Sequence, residues 1–111
     1  MDMFSALAEP TRRDILELLA KRGRLSASAI YRKFDQTPPA ISQHLKILRE
    51  AKLVDVKKQA QQRIYQINPK KITELEEWLK QITKIWNERF DRLDKVLAVE
   101  KKRKAVKDYG R

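Results

Sequence analysis

Gln36-Thr37-Pro38-Pro39-Ala40-Ile41-Ser42-Gln43-His44-Leu45-Lys46-Ile47-Leu48-Arg49-Glu50-Ala51-Lys52-Leu53 opens as a helix should. The Thr37 hydroxyl can accept from one of the first free amides, and Pro38 and Pro39 fall in the first turn, where a missing N–H costs nothing. Ile41, Leu45 and Leu48 then recur at steps of four and three, which at about 100° per residue makes one narrow apolar stripe. Pro39, Ser42, Gln43, Lys46 and Glu50 project from the other side. That face offers hydroxyl and amide groups near the helix start and a cation further along, the layout of a helix whose first residues meet base edges in a DNA major groove. An amide's paired donor and acceptor suit adenine, and an ammonium suits guanine or phosphate. An ordinary amphipathic surface helix has the same pattern, so the flanking sequence must separate the two.

Upstream, Ser26 caps a short helix with Ala27, Ile30 and Phe34 on its inner face, and Asp35-Gln36 connects it tightly to the first stretch. The result is helix, turn, helix with the second member polar outside. Tyr31, Arg32 and Lys33 flank the turn, either as DNA-backbone contacts or as plain surface, with Tyr31 better suited to half-buried packing. Pro10 opens an earlier helix that runs to about Arg22, turns Ile15, Leu18 and Leu19 inward and ends at Gly23. Thr11, Arg12 and Arg13 sit in its first turn, where cations oppose the helix dipole, so something other than helix stability favours them. Phosphate is one reading, which makes Arg12 a candidate contact; solvated arginines, or pairing with Asp14 or Glu17, is the other. Residues 2–8 form a short amphipathic segment with Phe4, Leu7 and Ala8 on one face, a lid on the core or on a partner chain.

Downstream the period changes. Leu53, Val54 and Val56 read as a strand and Arg63-Ile64-Tyr65-Gln66-Ile67 as its partner, with Tyr65 and Ile67 on one face. The segment between them, Lys57-Lys58-Gln59-Ala60-Gln61-Gln62, reads as a polar, cationic loop. Two strands alone are not stable, so this hairpin must pack on the helices as a wing, with Lys57, Lys58 and Arg63 available to phosphates or an adjacent minor groove. Asn68-Pro69 breaks the strand. From Lys71 to about Leu97 a long helical pattern follows, with Ile72, Leu75, Leu79, Ile82, Trp86, Phe90, Leu93 and Leu97 stepping by three and four, and Trp78 and Ile85 widening the stripe. Pairs such as Glu76 with Lys80, Glu88 with Arg92 and Asp91 with Lys95 support its outer face. At 1.5 Å per residue such a helix is about 40 Å long, more than a domain of this size covers. A homodimer through Phe4, Leu79, Ile82, Trp86, Phe90 and Leu93 would bury its far half.

The fold class expected is mainly α with a small β-hairpin, a winged helix-turn-helix in the order α-α-α-α-β-β-α. Residues 1–97 would form the DNA-binding and dimerisation domain, and 98–111 a basic tail that is either solvated or adds phosphate contacts. Charge supports this. The chain has 111 residues, 26 basic against 15 acidic side chains and a net of +11, so a polyanion is the default partner. The excess is +7 over residues 1–70, zero over 71–97 and +4 over 98–111, which places it with the reading helix and the tail. There is no cysteine, hence no disulfide and no thiolate metal site. No apolar run approaches the roughly 18 residues of a membrane span, and no signal-peptide pattern is present, so a cytoplasmic protein is expected.

With these elements in order, the chain resembles the ArsR/SmtB family of bacterial and archaeal winged helix-turn-helix repressors, over residues 3 to about 97. The motifs that carry the likeness are Phe4-Ser5-Ala6-Leu7-Ala8-Glu9-Pro10-Thr11-Arg12-Arg13-Asp14-Ile15-Leu16, Pro39-Ala40-Ile41-Ser42-Gln43-His44-Leu45-Lys46-Ile47-Leu48-Arg49-Glu50-Ala51, and Arg63-Ile64-Tyr65-Gln66-Ile67. The resemblance implies a dimer that binds a palindromic operator, sets its two reading helices in successive major grooves and represses transcription. The matching DNA-facing positions are Thr37, Pro38, Pro39, Ser42, Gln43 and Lys46, with the wing cations on the backbone. The chain departs from the metal-sensing members: residues such as Ser26, Ser28 and Ile30 stand where those carry cysteines, and residues 71–97 contain no histidine. It is more similar to the cysteine-free, autorepressor-like branch, and neither a metal nor any other cofactor is expected. Glu9 replaces the family's usual Asp cap and Ala60 a frequent Gly, which leaves the wing tip's geometry open. The single histidine, His44, lies on the flank of the apolar stripe, where a partly buried ring bonded to a neighbouring helix competes with a base contact.

Other functions compete with a repressor. A winged-helix protein-interaction module would carry positive charge merely for solubility, but such charge would not avoid the long helix so cleanly. A non-specific architectural nucleic-acid-binding module is another alternative, set apart by uniform, salt-sensitive binding with no enriched motif. A structured-RNA binder lacks the usual exposed aromatic platform. An enzyme is not expected from a chain with no cysteine, one histidine, two glycines and no phosphate-cradling loop.

Overall fold

The computed structural model describes residues 2–104. It divides into two units, one through Thr73 and one from Glu74 onward. The elements are α1 (Met3–Leu7), α2 (Pro10–Arg22), β1 (Arg24–Ser26), α3 (Ala27–Tyr31), α4 (Pro38–Glu50), β2 (Val54–Gln59), β3 (Gln62–Ile67) and α5 (Pro69–Lys104). Each helix starts at a residue able to accept from a free amide. Asp2 accepts from Ser5 N at 2.7 Å, Glu9 from Thr11 N at 2.6 Å, Ser26 from Ala29 N at 3.1 Å and Thr37 from Ala40 N at 3.3 Å. Asn68, read from sequence only as a strand breaker, accepts from Lys70 N at 3.1 Å and so caps α5, which begins at Pro69, two residues before the expected start.

The ends are equally defined. Gly23 closes α2 at φ +88°, a left-handed conformation that a side chain would strain, and donates to Leu19 O at 2.7 Å. At the end of α4, Lys52 N donates to Arg49 O at 2.9 Å and Leu53 N to Leu48 O at 3.0 Å, the paired bonds of a Schellman cap. That cap needs a left-handed residue, and the chain supplies Lys52 at φ +64° rather than glycine.

The core of the first unit forms where the helical stripes meet the sheet. Ile15, Leu19, Ile30, Ile41, Leu45, Leu48, Leu53 and Val54 are almost wholly buried, with Ala6, Leu16, Ala51 and Tyr65 beside them. Burying an aliphatic side chain of this size stabilises by about 1.5–3 kcal/mol. On α2 Ile15 and Leu19 turn inward as expected and Leu16 joins them, while Leu18, expected inside, is half-buried. On α1 the inward residue is Ala6; Phe4 and Ala8 are exposed.

Three strands make one antiparallel sheet in the order β1-β3-β2. The wing is therefore a hairpin plus a third strand that sequence reading missed, with Leu25 opposite Tyr65 and Ser26 opposite Ile64. The hairpin is also longer than expected. Pairing continues to Gln59 opposite Gln62, so Lys57 and Lys58 belong to β2 and the turn is reduced to Ala60 and Gln61. Ala60 adopts φ +55°, the backbone that a glycine would take without strain.

Helix α5 runs for 36 residues, longer than the 71–97 expected. On its outer face Lys80 pairs with Glu77 at 3.8 Å rather than with Glu76, and both side chains are largely solvated. The side chain of Lys95, expected to pair with Asp91, and residues 105–111 of the basic tail lie outside the described residues. No helix among the described residues is long and apolar enough to cross a membrane.

Candidate nucleic-acid interface

The physical requirement for a reading helix is that one side be immobilised while the other stands clear. Helix α4 meets it: Ile41, Leu45 and Leu48 are buried, and Thr37, Pro38, Pro39, Ser42, Gln43 and Lys46 are all exposed. The Thr37 hydroxyl is engaged as the cap, so its free role is limited to the remaining lone pair and its hydroxyl hydrogen. Gln43 and Ser42 have the exposed amide and hydroxyl that base edges require.

The wing cations do not form the single cluster that a loop would have given. Side chains alternate along a strand, so Lys58 and Arg63, which are directly opposite, share one face with Val56 and Tyr65. Lys57, opposite Ile64, points to the other face. Like charges directly across a sheet are destabilising. At Lys58 and Arg63 both side chains are exposed, so water screens the repulsion and both charges stay available to an anion. Lys57 instead joins Arg49 and Lys52, neither of which sequence reading had placed at the site, around an open groove that also includes Asp55 and Asn68.

Arg12 is the clear correction. Expected to reach phosphate, it is only 8% exposed. Its Nε donates to Ala6 O at 2.7 Å, its Nη2 to Ser5 O at 3.4 Å, and its Nη1 lies 3.2 Å from His44 Nδ1. The reason is local: the residue four beyond Ala6 is Pro10, which has no N–H, so the Ala6 carbonyl takes its donor from Arg12, while the Thr11 amide that could serve Leu7 O is held by Glu9. Arg13, although exposed, likewise donates to Leu7 O at 2.7 Å. The cations in the first turn of α2 thus serve the carbonyl end of another helix.

The same corner holds the reading helix. The ring of His44, with its side chain 18% exposed, stands between Arg12 and Glu9, whose Oε2 is 3.4 Å from Nε2. This is the partly buried packing role and not a base contact. The hydrogen bond from Thr11's amide holds the Glu9 carboxyl below the ordinary carboxylate range against the opposing effect of burial, and the Arg12 guanidinium, like a protonated His44 ring, acts in the same direction. Just before α4, Gln36 Nε2 donates to Thr11 Oγ1 at 2.8 Å, a second tie between the start of α2 and the start of α4.

Helix α5 presents a different surface. Trp78, Leu79, Ile82, Ile85, Trp86, Phe90 and Leu93 are between 43% and 55% exposed, and Trp86 meets Phe90 edge-to-face with ring centroids 4.7 Å apart. Phe4 of α1 is 47% exposed. Among the described residues no three His, Cys, Asp or Glu side chains converge as metal ligands would.

A helix-turn-helix with a cationic β wing and a polar, uncovered second helix defines a winged helix-turn-helix DNA-binding protein. A helix-turn-helix domain model matches residues 7–57. The chain is 35% identical over 78 residues to the transcriptional repressor SdpR of Bacillus subtilis, covering 70% of this chain and 86% of that one. It is 36% identical over 69 residues to the arsenical resistance operon repressor of Escherichia coli, covering 62% and 59% of the two chains. An ArsR-like transcriptional regulator from a Rhodococcus species superposes with a TM-score of 0.73 at 27% identity, over 84% of this chain and 87% of that one. The chain belongs to the ArsR family of winged helix-turn-helix transcriptional regulators, a family of DNA-binding proteins and not of enzymes.

Proposed function

We propose that two copies of this chain form a repressor that binds an inverted-repeat operator, one α4 in each of two successive major grooves. The observation that carries this reading is α4 itself, with its stripe locked in the core and Ser42, Gln43 and Lys46 uncovered. Gln43 reads a base edge, Ser42 and Thr37 set the register, and Lys46, Lys57, Lys58 and Arg63 meet phosphates. Dimerisation falls to α5 with Phe4 of α1. Trp78, Trp86 and Phe90 are each about half exposed, so covering them with a second copy contributes on the order of 5 kcal/mol before association costs. The relatives named as repressors support the sign of regulation, and the fully apolar character of the exposed α5 stripe supports a partner of the same kind.

Selection of bound sites from a random duplex library at about 150 mM salt tests this reading. The expected product is an inverted repeat with half-site centres about one helical turn apart. With Lys46, Lys57, Lys58 and Arg63 engaged in both copies, log K should fall with log salt at a slope of about −7, from about 0.9 per phosphate. Gln43→Ala should cost about 1–3 kcal/mol on the selected duplex and little on random DNA. Lys58→Ala should weaken both alike and flatten the slope by about 2. Uniform, salt-sensitive binding without an enriched motif would show that α4 does not read sequence.

A further inference from the structure

We propose that Glu9, His44 and Arg12 form a proton-sensitive latch that sets how α4 is presented to DNA: with a neutral His44 ring Arg12 ties the reading helix to the α1–α2 corner, and protonation of the ring loosens that tie while Ile41, Leu45 and Leu48 keep the helix in the core. The inference rests on α4 being the reading helix.

A guanidinium has donors and no acceptor. The 3.2 Å contact between Arg12 Nη1 and His44 Nδ1 therefore requires Nδ1 to carry a lone pair and no proton. The ring's one proton then sits on Nε2, which faces Glu9 Oε2 at 3.4 Å. Arg12 is not free to turn away from a change at the ring, because it is 8% exposed and its Nε is held by Ala6 O at 2.7 Å. A second proton can enter the ring at Nδ1 alone. There it aims an N–H at a fixed guanidinium, so the hydrogen bond is lost and two positive charges are brought together. Glu9 moderates this from the other side but cannot restore an acceptor for Arg12.

The charged surroundings leave those two groups in control. Of the elements packed on α4, α1 carries no titratable side chain between Met3 and Leu7, α2 carries Arg12, Arg13, Asp14, Glu17, Lys21 and Arg22, α3 carries Tyr31, and β2 carries Asp55, Lys57 and Lys58. On α4 itself Lys46, Arg49 and Glu50 lie beyond the ring's position in the chain. Among the described residues Arg12 and Glu9 are the groups at hydrogen-bond or ion-pair distance from the ring. His44 is next in sequence to Gln43, so a shift in the ring's anchorage is passed directly to the base-facing side chains. The consequence runs against the usual behaviour of a DNA-facing histidine, whose protonation would tighten binding to phosphate.

The test is binding of the library-selected duplex by fluorescence anisotropy between about pH 7.5 and 5.5, the span in which imidazoles in general change charge. Ionic strength is held constant, and circular dichroism is recorded on the same samples. Wild-type affinity should fall about tenfold on acidification while the helical signal stays constant, the size expected for losing one hydrogen bond to a charged group. His44→Asn, whose amide oxygen can accept from Arg12 at every pH, should match the wild type at about pH 7.5 and keep its affinity at about 5.5. His44→Ala should bind weakly throughout; if it does not fold, the comparison of wild type with His44→Asn decides. Wild-type binding that is unchanged or tighter at low pH, or a His44→Asn variant that keeps the wild-type pH profile, overturns the latch. If no duplex is selected even at neutral pH, the reading of α4 fails and the latch with it, an outcome distinct from selective binding that ignores pH.

Discussion

Replacing Arg12 by leucine tests whether a buried cation holds this fold's N-terminal corner. Leucine keeps the aliphatic stem and removes every donor. Two acceptors are then stranded: the carbonyl of Ala6, a residue with no exposure and no N–H available from Pro10, and Nδ1 of His44. A buried polar group left without a partner costs about 1–3 kcal/mol, so the pair should cost about 4 kcal/mol. The longer 3.4 Å bond to Ser5 O adds little, because that carbonyl also accepts from Ala8 N at 3.2 Å. For a domain of this size the melting temperature should drop by roughly 15–30 °C. Arg13→Ala is the internal control. Arg13 makes a bond of the same length and the same sequence separation to Leu7 O, but from an exposed position, so water replaces it and the loss should stay within about 0.5 kcal/mol. Urea unfolding followed by circular dichroism, at one chain concentration, measures both. Equal losses for the two arginines, or less than about 1 kcal/mol for Arg12→Leu, would refute the argument that burial of the acceptors sets the cost.

Other expectations follow from the same coordinates. Ala60→Gly should raise stability by about 1 kcal/mol, because Ala60 sits at φ +55° in the wing turn, and Lys52→Gly should do the same at φ +64° in the α4 cap; unchanged urea midpoints would mean that the left-handed backbone is relaxed without glycine. Trp86→Ala should lower the melting temperature more at low chain concentration than at high, the mark of a side chain buried between copies, whereas a concentration-independent loss would place Trp86 in intramolecular packing. Glu9 is held below its ordinary value of 4.5, so its contribution to stability is complete above that value and is lost as the pH falls through the lowered one; Glu9→Gln should flatten the acid limb of the stability curve, and an unaltered limb would assign it to other carboxylates.

Much of the fold was legible because short-range chemistry dictates it. The Thr37 and Ser26 caps, the stop at Gly23 and the Ile41/Leu45/Leu48 stripe each depend on residues within one or two turns of one another. Strand β1 was not legible, since three residues show no period and acquire their role by pairing with β3 some 40 residues later. The hairpin was under-read for a related reason. Lys57, Lys58, Gln59 and Gln62 are polar on both faces, so alternation is absent even though the backbone is paired. For Arg12 the signal was present in the sequence, as a cation in the wrong half of a helix dipole, but its partner was misjudged. The proline at position 10 was the missing clue, because it leaves Ala6 O without its helical donor.

The two kinds of cation in this chain perform different work, and this changes how its charge should be counted. Arginine's rigid fork can satisfy several acceptors from one fixed position while being less costly to desolvate than an ammonium, which suits Arg12, surrounded by Ser5 O, Ala6 O and His44. A lysine in that place would offer its donors from a single point and could not span the three. The exposed positions of α4 and β2 carry lysine instead, Lys46, Lys57 and Lys58, where a compact, hydrated charge on a long stem can follow a phosphate without being built into the fold. The net charge of the first 70 residues therefore overstates the charge offered to DNA, since Arg12 is consumed inside and Arg13 is partly consumed by Leu7 O. The salt dependence of binding should be set by the lysines of α4 and the wing together with Arg63, and the arginines of α2 should affect DNA affinity through the placement of α4, with no change in that slope.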